Sequence, residues 1–142
     1  MDREKLIEKA RAYIGEEENT EFRSQVVKVL KEEHWEELED RFYQDLSFGT
    51  GGIRGVIGGG TNRINPLVVQ KATQGLANYI LRQEIVDPIA VIAFDSRRYS
   101  SLFAESAATV LAGNGIKTFL FSSLRPTPEL SFAVRTLGAS TG

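Results

Sequence analysis

Four glycines and one arginine fall within eight residues at Phe48-Gly49-Thr50-Gly51-Gly52-Ile53-Arg54-Gly55. Glycine admits φ > 0 and lets a ligand come close to main-chain N–H groups. Arg54 adds a permanent planar cation whose fork suits phosphate oxygens. These residues point to an anion site, with phosphate the natural occupant. No Gly-Lys-Ser/Thr follows, so this is not a P-loop, and Arg54 stands where the dinucleotide fingerprint closes on glycine. A hairpin or tight connection with an incidental arginine fits the same spacing.

Two further segments carry charge after apolar runs. Asp95-Ser96-Arg97-Arg98 follows one, and Leu124-Arg125-Pro126-Thr127-Pro128, stiffened by two prolines, follows another. Asp95 could hold a cation, act as a base, or pair with an arginine and cap the chain locally. Connection and capping alone would account for the proline loop. His34 is the single histidine and lies among glutamates beside Trp35, and there is no cysteine. A Cys/His pair and a His/Cys metal cluster are therefore excluded, and no serine has a histidine base at a persuasive spacing.

The elements that must position these residues follow from periodicity. Leu6, Ile7, Ala10, Tyr13 and Ile14 predict a helix over 2–14. Phe22, Val26, Val27 and Leu30 predict a second over 20–44, capped by Thr20. The charged outer faces suit a solvated helical extension. Val56-Ile57 could form a short strand. Asn65 as N-cap and Pro66 at the first position open a helix over 66–82, with Val68, Ala72, Leu76 and Ile80 as its stripe. The apolar runs 89–94 and 116–121 read as buried, neighbouring parallel strands. Helices are expected over 101–112, stopped by Asn114-Gly115, and over 128–137, with Thr127 as cap and Gly138 as stop. Alternating strand and helix predicts a three-layer α/β/α fold with a mostly parallel sheet, preceded by a helical extension. The expected division is 1–47 for the extension and 48–142 for the α/β domain. Ligands of such sheets gather at the carboxyl ends of strands, where 95–98 and 122–128 fall.

Charge divides along the same boundary. Residues 1–47 carry 14 acidic and 8 basic side chains, whereas residues 48–142 carry 5 and 9. A modest positive excess without a basic run suits a small anion and argues against nucleic acid. The chain has 142 residues, enough for a real core, and its 42% hydrophobic and 25% charged fractions are those of a soluble globular protein. Met1 is followed by Asp2, Arg3, Glu4 and Lys5, without a signal-peptide core, and no apolar run is long enough to span a bilayer. Together with the absence of cysteine, this sets the expectation of a cytoplasmic protein without membrane partners.

Four motifs in order resemble the α-D-phosphohexomutase superfamily: Leu46–Gly55, Gly60-Thr61-Asn62-Arg63-Ile64-Asn65, Ala93–Arg97 and Leu124–Arg135. The likeness is to phosphoglucomutase/phosphomannomutase enzymes of the bacterial type related to animal phosphopentomutases. It covers about Tyr43 to Gly142, and the acidic helical extension also has the look of this group. It implies an N-terminal first-domain fragment of a four-domain enzyme that moves phosphate between C1 and C6 of a hexose. The route would use a phosphoserine and a bisphosphorylated intermediate. The resemblance implies Mg²⁺, with ligands outside this chain, and glucose 1,6-bisphosphate as activator. The phosphoserine loop would lie beyond Gly142, so no catalytic residue is assigned, and Ser140 and Thr141 are not that loop. Arg54 matches the arginine that reaches the phosphoserine or the intermediate, and Thr50 a neighbouring loop residue. Arg97 and Arg125 are expected near the cleft as phosphate-binding residues by analogy. The partners implied are sugar phosphates and the remaining domains of the same polypeptide, and the fragment alone is expected to be inactive. A phosphopentomutase, a hexose-bisphosphate synthase or a non-catalytic anion-binding module remain the alternatives.

Overall fold

Three short helices, not two, form from the N-terminal apolar positions. The computed structural model describes residues 1–142. Helix α1 spans Arg3–Glu16, α2 Thr20–Lys31 and α3 Trp35–Phe42. The cap of α2 is Asn19, not Thr20: its side chain accepts from the N–H groups of Glu21 and Phe22 at 3.0 and 3.3 Å. The helix expected over 20–44 breaks at Glu33, which adopts φ 53°. The break lets the chain fold back, so that Leu38 and Phe42 join Leu6, Ala10, Tyr13, Val26 and Val29 in one buried cluster. An unbroken helix would carry those two residues away from it. On α2 the buried residues are Phe22, Val26 and Val29, while Val27 and Leu30 are only half-buried.

The chain divides into two compact units, Met1–Val68 and Val69–Gly142. The first ends with a small antiparallel pair, β1 (Phe48–Gly49) and β2 (Gly52–Ile53), and a loop to Asn65. Val56-Ile57 contributes a single bridge, Ile57 to Ile64, in place of the expected short strand. Helix α4 spans Pro66–Arg82, beginning in the first unit and running through the start of the second. Asn65 caps it as expected, its Oδ1 accepting from Val68 N–H at 3.0 Å. Its buried face differs from the expected stripe: Thr73, Ala77 and Ile80 are buried, and Leu76 is 37% exposed.

In the second unit β3 (Ile89–Ile92) pairs in parallel with β4 (Lys117–Leu120), Ile89 opposite Lys117, and α5 (Ser100–Gly113) makes the crossover. Thr141 bridges to Ala90 on the other side of β3. Side chains alternate across the sheet. Ala90 packs into a cluster with Ala77, Ile80, Leu111 and Ile116. Val91 points the other way, into an apolar groove of about 660 Å³ that it shares with Phe119, Phe132, Ala133 and Leu137. Helix α6 (Thr127–Thr136) supplies that second layer, starting at Thr127 behind Pro126, so Thr127 is the first helical residue and not the cap. The unit is α/β, with helices on both faces of a parallel sheet. The run 116–121 is not the fully buried strand expected: Phe119 and Leu120 are 38% and 37% exposed. β4 pairs with β3 alone, and α6 leaves the groove open above Phe119. No helix is long and apolar enough to cross a membrane.

Candidate functional site

In the first unit the glycine-rich segment is a hairpin. Phe48 pairs with Ile53 and Gly49 with Gly52, leaving Thr50-Gly51 at the tip. Gly51 sits at φ 79° and Gly52 at φ 121°, backbone that a side chain would strain. Thr50 and Arg54 are both exposed. The Arg54 guanidinium reaches back toward the tip, where a Cβ on Gly51 would stand 3.7 Å from its Nη2. No ion pair or hydrogen bond occupies it. The tip thus offers a hydroxyl, bare glycine backbone and an uncommitted planar cation, groups suited to an oxyanion.

Both stems of the hairpin are tied to the loop that follows. On the entry side Leu46 N–H donates to Thr61 O at 3.0 Å, and Thr61 Oγ1 donates to Gln44 O at 3.1 Å. On the exit side Ile64 N–H donates to Val56 O at 2.8 Å. Asn65, fully buried, does more than cap α4: its Nδ2 donates to Gly58 O and Gly60 O at 2.9 and 2.8 Å.

In the second unit Arg97 and Arg125 stand on adjoining loops at the carboxyl ends of β3 and β4, joined by Arg125 N–H donating to Phe94 O at 3.1 Å. Both are committed. Arg97 Nε pairs with Asp95 at 2.8 Å, and Arg125 Nε with Glu129 at 3.0 Å. Asp95 also accepts from the Arg97 backbone N–H at 3.0 Å. That bond above all holds its carboxyl below the usual range, with smaller help from the Ser100 and Arg97 side chains. So held, Asp95 is a weak base at neutral pH, and its arrangement is the pairing and capping one. Beside it Tyr99 adopts φ 63°, rare for a bulky residue, under the Arg98 guanidinium at 4.7 Å. Nothing in the residue pattern signals that conformation. His34 is exposed, with Nδ1 3.7 Å from the Glu32 carboxylate, and precedes α3 as its cap residue. No three His, Cys, Asp or Glu side chains are placed together to hold a metal.

A family model described as phosphoglucomutase/phosphomannomutase, alpha/beta/alpha domain I, matches residues 45–142. Phosphoglucomutase of Staphylococcus epidermidis is 45% identical over 107 residues, covering 75% of this chain and 19% of that protein. Phosphoglucomutase of Staphylococcus saprophyticus is 42% identical over 118 residues, covering 82% and 21%. That of Staphylococcus aureus is 43% identical over 106 residues, covering 75% and 19%. The chain thus spans about a fifth of the length of these relatives. No solved structure matches it. With the family model matched over more than half its length, the chain belongs to the phosphoglucomutase/phosphomannomutase family as its α/β/α domain I.

Proposed function

We propose that this chain supplies the phosphate-binding first domain of a cytoplasmic phosphoglucomutase-type phosphotransferase, interconverting hexose 1-phosphate and hexose 6-phosphate through a phosphoserine and a bisphosphorylated sugar. Residues 48–142 would form the domain and 1–47 its extension. The relatives named phosphoglucomutase support the activity. The observation that carries the site is the uncommitted Arg54 guanidinium over the Gly51 turn. Arg54 would grip two phosphoryl oxygens with its fork, and the Thr50 hydroxyl would donate to a third. Arg97 and Arg125 would turn from Asp95 and Glu129 to an incoming phosphate, each exchanging a carboxylate for a phosphate oxygen. Magnesium would polarise the transferring phosphoryl group from ligands elsewhere in the polypeptide. The phosphoserine and the sugar contacts would likewise come from the remaining domains.

The test is Arg54→Ala in the polypeptide that carries those domains. Charge-assisted hydrogen bonds contribute roughly 1.5–3 kcal/mol each. kcat/KM for glucose 1-phosphate should therefore fall by about one to two orders of magnitude. Arg54→Lys should recover only part, since an ammonium keeps the charge and loses the fork. If Arg54 only pins the turn, the alanine variant would melt earlier and keep its activity per folded molecule. Kinetics on glucose 1-phosphate, mannose 1-phosphate and ribose 1-phosphate decide between hexose and pentose substrates.

A further inference from the structure

The loop that ties both hairpin stems rests on helices outside the residues matched by the family model, which begin at residue 45. Gly59 N–H donates to Gln25 Oε1 of α2 at 3.0 Å. Arg41 of α3 donates from Nη1 to Gly59 O at 2.7 Å. The same guanidinium is fixed by Nε and Nη2 on Glu37 Oε1 at 3.1 and 2.7 Å. The end of α3 is met by Asn62, whose N–H donates to Arg41 O and whose Nδ2 donates to Asp40 O, each at 2.9 Å. Arg63 adds an ion pair to Asp40. The seat has no slack: a Cβ on Gly59 would stand 2.3 Å from Phe22 O, and one on Gly60 2.7 Å from Arg41 O.

We propose that Arg41 is a positioning residue for the Thr50–Arg54 tip, acting through Gly59 and the two tied stems, with α2 and α3 as the seat of the phosphate loop. The proposal rests on the phosphate reading of that tip. The path is continuous: Arg41 fixes Gly59, the loop closes on Leu46 and Val56, and those two residues flank the hairpin. The Leu46 methyls shut its base, lying 3.0 and 3.1 Å from where a Gly55 Cβ would stand.

The experiment titrates inorganic phosphate into the ¹⁵N-labelled chain, following the amides of residues 49–55, and measures hydrogen exchange at Leu46, Gly58, Gly59 and Ile64. Arg41→Ala should weaken phosphate binding on the order of tenfold, as for loss of a charge-assisted bond, and speed that exchange by a similar factor. Arg41→Lys, which can still donate to Gly59 O, should recover part of both. Gly59→Ala should reproduce the effect by steric displacement, and it serves as the second variant if Arg41→Ala does not fold. Ala104→Gly, buried in α5 of the second unit and outside the cluster that α1, α2 and α3 share, should lower the melting temperature and leave phosphate affinity unchanged. An Arg41→Ala chain with wild-type phosphate affinity overturns the positioning claim, as does an equal loss of affinity in Ala104→Gly. If phosphate moves none of the 49–55 amides in the wild type, the phosphate reading fails. Exchange then still judges the seat, because unchanged protection at Leu46 and Ile64 in both seat variants overturns it.

Discussion

Tyr13 and Glu17 meet at the end of α1 in a buried cluster of hydrogen bonds. Glu17, 2% exposed, accepts from Tyr13 OH at 3.0 Å and from the N–H groups of Asn19 and Leu67 at 2.9 and 3.2 Å. A buried carboxylate with three donors is satisfied, and one of them is an otherwise unpaired N–H in the first turn of α4. Burial first, then the Glu17 charge, pushes the Tyr13 phenol well above its ordinary 10.0. The native state thus keeps its proton where the unfolded chain loses it. The stabilisation is complete below about pH 10 and is lost as pH climbs above that value, at up to about 1.4 kcal/mol per pH unit. Tyr13→Phe should cost about 1 kcal/mol at neutral pH through the lost hydrogen bond. Above pH 10 its melting temperature should fall less steeply than the wild type's. Parallel curves for the two proteins between pH 8 and 11 would show that Tyr13 does not govern alkaline stability. Residues of this kind were hidden in the sequence for a physical reason. Arg54 announces itself by sitting among glycines, whereas Glu17 and Arg41 look like any charged residue on a helix and gain meaning only from Leu67 and Gly59, 50 and 18 positions away.

At the scale of elements, helix ends show which signals the sequence carries. Three helices end in the same motif, with a left-handed residue followed by two reversed backbone bonds. At α5 Gly115 takes φ 77°, and Ile116 N–H returns to Leu111 O at 3.1 Å. At α6 Gly138 takes φ 63°, and Ala139 N–H returns to Val134 O at 2.8 Å. Both stops were legible because glycine marks them. At α2 the same role falls to Glu33, with His34 N–H returning to Val29 O at 3.2 Å, and glutamate gives no such signal. That one residue accounts for the two helices expected as one. Glu33→Gly should therefore stabilise the chain by about 1 kcal/mol, because a left-handed conformation costs an L-residue roughly that much. Chemical denaturation would read it as a higher midpoint at unchanged slope. A lower midpoint would mean that the Glu33 side chain contributes more than its backbone costs. The runs 89–94 and 116–121 gave strand, pairing and direction correctly. They gave the burial of β4 wrongly, because an apolar run records what a strand can bury and not what is there to cover it.

At the scale of the whole molecule, the four ordered motifs carried the family, and the structure puts all four proposed phosphate ligands on turns and loops between regular elements, Arg54 directly after β2. On the phosphate reading those residues would bind and orient; none is a nucleophile poised beside a base. The sole histidine is exposed at the start of α3, and no carboxylate cluster is placed to hold a metal. In-line phosphoryl transfer needs a nucleophile, a charge-stabilising clamp and a held sugar in one geometry, and positioning alone can be worth several orders of magnitude. On the proposed reading, a chain spanning about a fifth of the length of its phosphoglucomutase relatives would present one part of that set. The purified 142-residue chain should therefore bind phosphate in an Arg54-dependent way and show no conversion of glucose 1-phosphate to glucose 6-phosphate, even with Mg²⁺ and glucose 1,6-bisphosphate. A coupled assay for glucose 6-phosphate, run beside the phosphate titration on the same preparation, separates the two properties. Turnover within tenfold of a complete mutase would show that these residues hold a full catalytic site. Absence of both binding and turnover in a folded chain would instead remove the phosphate reading of the hairpin. Binding without turnover is the outcome that the proposed phosphate-binding role predicts for this chain alone.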